Sequence, residues 1–482
     1  MLAVAHVLGL MMAFFAVSFV LPITASLLSG DGLAIDFVIA AAINVIVGLG
    51  VALATRRYQR ELKPRDGFLL VTLSWVLMSA SAATPFLIAL PELSFTDAYF
   101  ESMSGLTTTG ATVLSGLDTL APSLHIWRHT LHWIGGLGII VLAVAVLPLL
   151  GVGGMQLYRA ETPGPVKDEK LTPRITETAK ALWVTYTGIT IAGIAALKWA
   201  GMSWLDAICH AFTAVSIGGF STRDASIGAF DSVAIELIMM VLMIVAAINF
   251  ARHFLAIKRL SLQPYLRDAE AKALLLALAT SVLGIAILLT VTGTYADFWT
   301  SLRHSAFNVV SIATTTGLVS QNYELWPIFA PVWMIFLSCI LCNTGSTGGG
   351  IKMFRTLLLA RQAVREMRQL VHPSAVAPIR IGGAIIQERI IYSVLAFIFL
   401  YFMTVVVLTF AMLLTGLDLV SSFTAIVASV NNMGPGLGAV GPAGSHQGLS
   451  DLQTWICCAA MLLGRLEIFS VLVLFTATFW RK

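Results

Sequence analysis

Charge is what this chain has least of. Asp, Glu, Lys and Arg together make up 11% of its 482 residues against 58% apolar ones, and the mean hydropathy is +0.88. Soluble domains carry roughly 25% charged residues, so a water-soluble globule is excluded and lipid is the expected solvent. Cysteine is scarce too: Cys209, Cys339, Cys342, Cys457 and Cys458 all lie in or beside apolar runs. That pattern excludes a disulfide framework, and it reads the Cys339-x-x-Cys342 pair as helix packing rather than a zinc site.

What is abundant is apolar sequence in long blocks. Runs near the ~20 residues that cross a bilayer occupy 2–28, 35–55, 68–90, 131–150, 181–200, 232–250, 273–291, 326–342, 390–414 and 452–480. Ten membrane helices are therefore expected. The first run exceeds a signal-peptide core and lacks a basic start, so it is read as a retained helix. The loops at 56–65, 159–180, 252–272 and 352–389 and the tail 481–482 hold 24 of the 29 Lys and Arg residues. By the positive-inside rule both termini are cytoplasmic. The opposite loops carry Asp31, Asp36, Glu92, Asp97, Asp118, Asp224, Glu324 and Asp418, an exterior face weakly attractive to cations. The net charge of +4 follows from this topology and calls for no nucleic-acid partner.

After two helices the chain repeats one pattern four times: an apolar helix, a short ascent ending in small polar residues and glycine, and a second apolar helix. The ascents at 96–112, 205–222, 299–320 and 420–438 are too short and polar to cross a bilayer alone, and are read as re-entrant. Aligning Gly110, Gly219, Gly317 and Gly434 brings other small residues into register: Ala98, Ala207, Ser305 and Ser422 twelve before, Ser104, Thr213, Ser311 and Ala428 six before, Thr107, Ser216, Thr314 and Asn431 three before. Small residues allow close packing of a pore helix. Asp97 and Asp206, thirteen before their glycines, are expected to cap the re-entrant helices. The expected architecture is all-α and integral to the membrane: two N-terminal helices (1–66) and four helix–pore loop–helix units (67–158, 159–260, 261–372, 373–482) around one pseudo-four-fold pore.

The four glycine segments, Thr107-Thr108-Thr109-Gly110-Ala111, Ser216-Ile217-Gly218-Gly219-Phe220, Thr314-Thr315-Thr316-Gly317-Leu318 and Asn431-Asn432-Met433-Gly434-Pro435, contain no ionisable side chain. Non-helical backbone at membrane depth survives only where it lines water or is buried in protein. Neutral carbonyls replacing a hydration shell suit a potassium-like cation; divalent ions favour carboxylates, and anions favour Arg or Lys. With one glycine common to all four segments, selectivity can be loose enough to pass rubidium.

Two irregularities stand out below these segments. Gly345, Ser346, Thr347, Gly348, Gly349 and Gly350, ahead of Lys352, interrupt an apolar run and break its helix. A phosphate loop does not fit, because Lys352 is followed by Met353 and no strand precedes; a packing kink and a mobile loop obstructing the pore both do. Arg465 lies well inside the last apolar run, where a charge costs at least ~2.5–3.5 kcal/mol; it is either half of a structural ion pair or a barrier to cations. The group His125, Arg128, His129 and His132 is read as interfacial anchoring.

These residues resemble one family. The stretches 132–138, 150–161, 345–352, 431–438 and 464–467 are similar to the TrkH/TrkG family, the transmembrane subunit of bacterial Trk potassium uptake, within the superfamily that includes KtrB and the plant HKT transporters. The resemblance implies a potassium filter at Thr108, Thr109, Gly110, Ile217, Gly218, Gly219, Thr315, Thr316, Gly317, Asn432, Met433 and Gly434, a gating loop at 345–350 and Arg465 below the filter. It also implies an inner-membrane location, a homodimer and a cytosolic TrkA-type nucleotide-binding regulatory subunit. Glycine rather than serine at Gly110 goes with potassium over sodium in that family, whereas Ile217 departs from its usual small residue. The transported ion is K+, with no organic cofactor. Coupling to protons or sodium is the alternative mechanism. A membrane enzyme would need clustered carboxylates, but Glu161, Asp168, Glu169 and Glu177 are interleaved with Lys167, Lys170, Arg174 and Lys180.

Overall fold

The computed structural model describes residues 1–58, 60, 62–138, 175–375 and 377–481, and within them the chain is mostly helical. Helices α1 (Leu2–Ser29) and α2 (Ala34–Thr55) form an antiparallel lead pair. They cross at two glycines: a Cβ on Gly9 would lie 2.6 Å from the Gly48 carbonyl oxygen, and one on Gly48 would lie 2.6 Å from that of Gly9. Such close contact is how helices associate where lipid offers no hydrophobic drive.

In the rest, each round opens with a long helix followed by two shorter ones. The first round is α3 (Pro64–Ala89), α4 (Phe95–Leu106) and α5 (Pro122–Gly136). After the segment outside the described residues come α6 (Ile175–Trp199), α7 (Trp204–Ser216), α8 (Val233–Ala247) and α9 (Phe250–Arg259). The third round is α10 (Ala269–Val291), α11 (Phe298–Ala313), α12 (Phe329–Ile340) and α13 (Met353–Val371). A two-stranded hairpin pairs Arg380 with Ile385 and Ile381 with Ala384. Gly382 and Gly383 make its turn with φ of +57° and +88°, the mirror-image turn that tight hairpins require. Then come α14 (Glu388–Leu414), α15 (Leu419–Asn431) and α16 (Asp451–Arg465).

Among the described residues six helices are long and apolar enough to span a membrane, or eight if two bent pairs each count as one span. Of the ten expected membrane helices, those at 232–250 and 452–480 are bent. Helix α8 turns through 100° into α9, and α16 turns through 107° into Phe469–Phe475. The first bend has a local cause: Asn249, set in an apolar run, accepts the Ala251 amide at 2.8 Å and starts a new helix as its N-cap. Helix α12 stops at Ile340 ahead of the glycine-rich stretch, as expected. The run at 131–150 continues past residue 138, and that continuation, like the 150–161 stretch, lies outside the described residues.

Large apolar side chains such as Ile46, Val291 and Leu414 are exposed along the long helices, as they must be where the surroundings are hydrocarbon. The lead pair is fastened to the remainder by Trp127 of α5. Its ring stacks on Phe19 with centroids 4.4 Å apart, and its indole N–H donates to the Ala82 carbonyl at 3.0 Å.

Candidate functional site

The four short helices α4, α7, α11 and α15 share both ends. At the start, the side chains of Ser94, Ser203, Asp297 and Asp418 accept the amides of Asp97, Asp206, Thr300 and Ser421, three residues on. The caps expected at Asp97 and Asp206 are thus corrected to Ser94 and Ser203. The two carboxylates sit inside the first turn and accept those serine hydroxyls at 2.8 and 2.7 Å, near the positive end of the dipole. The Thr300 hydroxyl and amide hold the Asp297 carboxyl below the usual range, and the Ser421 amide and hydroxyl do the same for Asp418.

At the far end each helix closes with one motif. Thr108, Ile217, Thr315 and Asn432 have left-handed φ of +55°, +56°, +62° and +52°. The next amide, of Thr109, Gly218, Thr316 or Met433, donates back to the carbonyl of Ser104, Thr213, Ser311 or Ala428 at 2.8–2.9 Å. This is the Schellman closure, in which a left-handed residue, usually glycine, satisfies the last carbonyls of a helix. The side chains that occupy that position, Ile217 among them, are buried.

One step later φ is positive again, at +82°, +92°, +83° and +95° for Gly110, Gly219, Gly317 and Gly434. These glycines form a closed circuit. A Cβ on Gly110 would run into the Gly218 carbonyl oxygen, one on Gly219 into that of Thr316, and one on Gly317 into that of Met433; one on Gly434 would lie 2.8 Å from that of Thr109. Each glycine therefore abuts the residue before the next glycine, and the fourth returns to the first. Asn432 reinforces the closure by donating to Thr109 Oγ1 at 3.0 Å. All twelve residues expected at the site, Thr108, Thr109, Gly110, Ile217, Gly218, Gly219, Thr315, Thr316, Gly317, Asn432, Met433 and Gly434, are brought into this circuit.

Beneath it runs the loop 341–352. The Gly345 carbonyl accepts from Phe250 N at 3.1 Å, Thr347 Oγ1 donates to the Val215 carbonyl at 3.2 Å, and Gly349 N donates to Thr315 Oγ1 at 3.0 Å. A Cβ on Gly349 would meet the Asn431 carbonyl oxygen. Ser346 Oγ donates to the Asn343 carbonyl at 2.6 Å, Lys352 Nζ donates to the Gly348 carbonyl, and Gly345 and Gly350 have φ of +77° and +74°. The loop thus touches the ends of the second, third and fourth short helices. Arg465 completes the set: it donates to Thr108 Oγ1 and to the Thr347 carbonyl, both at 3.0 Å, to the Gly136 carbonyl at 3.1 Å, and to the Gly135 carbonyl. Its expected place mid-helix is corrected, since α16 ends at Arg465 and the guanidinium serves the free carbonyls at the end of α5. Glu467 pairs instead with Arg355 at 2.6 Å.

Above the circuit lies a small cavity of about 80 Å³ bordered by all four glycines. Arg128 lines it and belongs to a pair that sequence reasoning missed. Arg128 Nε meets Glu101 Oε1 at 2.8 Å with both side chains 0% exposed, and the guanidinium lies 4.2 Å from the centre of the Phe220 ring. Interfacial anchoring is therefore corrected for this group. His125, His129 and His132 are buried as well, and His132 stacks on Phe220 at 4.1 Å. Among the described residues no group of three or more His, Cys, Asp or Glu is arranged to hold a metal ion.

A family model described as a cation transport protein, TrkH, matches residues 34–482. The chain belongs to the TrkH family. It is 46% identical to the Trk system potassium uptake protein TrkH of Vibrio parahaemolyticus over 100% of this chain and 99% of that one. It is 44% identical to the TrkH of Escherichia coli K12 over the same shares. The crystal structure of the potassium transporter TrkH from Vibrio parahaemolyticus superposes with a TM-score of 0.90 at 42% identity, covering 100% of this chain and 99% of that one. This TrkH-family chain is accordingly a multi-pass membrane protein of a transporter family, not an enzyme family.

Proposed function

We propose that the chain takes up potassium across the bacterial inner membrane through a gated pore lined by carbonyl oxygens. The observation that carries the reading is the closed circuit of four glycine segments with one shared backbone conformation. Alternating positive and negative φ turns successive carbonyls toward one side, and four such segments surround an ion with neutral oxygens. Four helix C-termini end at the same place, and their partial negative charge favours a cation. Potassium, rather than another monovalent ion, is supported by the names of the relatives and by Gly110 in the first segment.

The loop 345–350, with Lys352 and Arg465, is the gate: it lies directly beneath the circuit and joins the ends of all four short helices. A potential of ~100 mV supplies about 2.3 kcal/mol per charge, roughly fifty-fold accumulation, so conduction needs no coupled ion. The symport alternative would require a proton or sodium relay, and the glycine segments offer no carboxylate for one. Four pore units at 67–158, 159–260, 261–372 and 373–482 follow the two leading helices, with both termini cytoplasmic. A homodimer with a TrkA-type regulatory ring on the basic cytoplasmic loops completes the reading.

The test is rubidium uptake by the purified chain in liposomes, driven by a potassium gradient, beside Gly434→Asp. That variant puts a charged side chain at φ +95° and 2.8 Å from the Thr109 carbonyl. Uptake should fall by more than roughly tenfold, equivalent to about 1.4 kcal/mol. Equal uptake by wild type and variant would sink the pore reading.

A further inference from the structure

On each short helix a polar side chain reaches forward to the strand that leaves the glycine. Glu101 accepts Thr112 Oγ1 at 3.0 Å and the Val113 amide at 3.1 Å. His210 Nε2 lies 2.9 Å from Ser221 Oγ. Asn308 accepts the Ser320 amide at 3.2 Å and donates to its hydroxyl at 3.0 Å. Thr424 Oγ1 accepts the Leu437 amide at 2.9 Å. The first three stand nine residues before their glycines and Thr424 stands ten before. The residues they hold follow the glycine by two or three positions. All four side chains are buried.

We propose that these four side chains are struts that fix the width of the carbonyl ring from outside, and that Glu101 with Arg128 is the principal one. The inference rests on the reading of the glycine segments as a cation filter. Neutral carbonyls discriminate between cations only as far as their number and spacing are held. The strands beyond the glycines belong to no helix or sheet, so side-chain bonds of this kind hold them together with single backbone bonds such as that from His446 N to the Thr112 carbonyl at 2.8 Å. The first strut differs in strength and reach. Its bonds are charge-assisted, roughly twice as strong as neutral ones, and Arg128 donates both to Thr112 Oγ1 and to the Ser221 carbonyl, each at 3.2 Å. It therefore ties the first segment to the second. Glu101 and Arg128 are positioning residues, since neither belongs to the ring itself.

A role confined to folding predicts less folded protein with unchanged selectivity, whereas a strut predicts altered selectivity in protein that is folded. The experiment measures rubidium and sodium uptake on the same liposome preparations for wild type, Glu101→Gln and Thr112→Val. The second substitution removes the hydroxyl shared by Glu101 and Arg128 without changing charge. The ratio of rubidium to sodium uptake should fall roughly fivefold in Glu101→Gln, the scale of one lost buried hydrogen bond, and by less in Thr112→Val. Should Glu101→Gln give no monodisperse protein, Thr112→Val decides alone. Folded variants with the wild-type ratio overturn the strut. A wild type that does not discriminate overturns the filter reading itself, and that outcome is visible before any variant is compared.

Discussion

The half of this molecule that holds the glycine circuit, the outer half on the proposed orientation, and the inner half beneath it are built on opposite plans. In the outer half four segments share one backbone: an N-capped short helix, a Schellman closure, and a glycine against its neighbour's carbonyl. The residues at the left-handed step are nonetheless Thr108, Ile217, Thr315 and Asn432, which have little in common. In the inner half the repeats part company. Helix α8 bends by 100°, α16 bends by 107°, and α12 gives way to the loop 341–352, which among the described residues has no counterpart. The segment of the circuit is repeated four times, and unlike side chains can maintain it because hydrogen bonds of the main chain carry it. On the proposed reading, a structure that surrounds an ion must be repeated, whereas one that blocks a path need be built only once.

The largest expected break in that contrast is Arg465→Ala. It deletes the donors that tie the loop's Thr347 carbonyl to Thr108 and to the end of α5. Basal rubidium uptake in liposomes should rise about tenfold, equivalent to ~1.4 kcal/mol, while the rubidium-to-sodium ratio stays at its wild-type value. A changed ratio would mean that the halves are not separable. Gly110→Ser should do the reverse with a smaller effect. Its Cβ, at φ +82°, would lie 2.9 Å from Gly219 Cα, so sodium uptake relative to rubidium should rise a few-fold, by about 1 kcal/mol of lost discrimination. Competition between the two ions reads this out, and an unaltered ratio would count against the filter role of Gly110.

The smallest effect belongs to the caps. Asp418→Ala removes the N-cap of α15 and should cost about 1 kcal/mol of stability, seen as a lower Tm with an unchanged ion ratio. Because Ser421 depresses the Asp418 carboxyl below its ordinary 3.8, the contribution of this ionised cap is full above that value. It is lost only as pH falls through the lower folded one. Between pH 6 and 8 the stability difference between wild type and Asp418→Ala should therefore be flat, and a slope there would assign the carboxylate another partner.

The outer half was legible in the sequence because its constraint is steric. The column six before each glycine is Ser104, Thr213, Ser311 and Ala428, and its carbonyls receive the Schellman bonds; bulk is excluded there and small residues recur. The column nine before is Glu101, His210, Asn308 and Ala425. Hydrogen bonding can be met by several side chains, or from the next position by Thr424, so no recurrence betrays it. The glycine-rich break was legible for the same reason that a helix cannot hold four glycines in six residues. The bend after Arg465 was not, because apolar sequence resumes beyond it, whereas the bend at Asn249 falls where the apolar run gives way to Arg252 and His253, which marks the end of a span but not a turn through 100°. Arg465 stood out as a charge in hydrocarbon. What the sequence could not convey is that the helix ends there, so that the guanidinium serves the carbonyls of another helix.

The circuit of glycines also has an order in time. Gly110 emerges from the ribosome more than 300 residues before Gly434, because synthesis runs from the N-terminus. Until the last quarter has been made, the Thr109 carbonyl has no neighbour and the ring stands open on one side. The segment that completes it is followed closely by Arg465, whose side chain donates to Thr108 Oγ1 and to the Thr347 carbonyl beneath the circuit. On the proposed reading of the circuit as a filter and of Arg465 as part of its gate, translation delivers the closing quarter and the group beneath it within about thirty residues of each other.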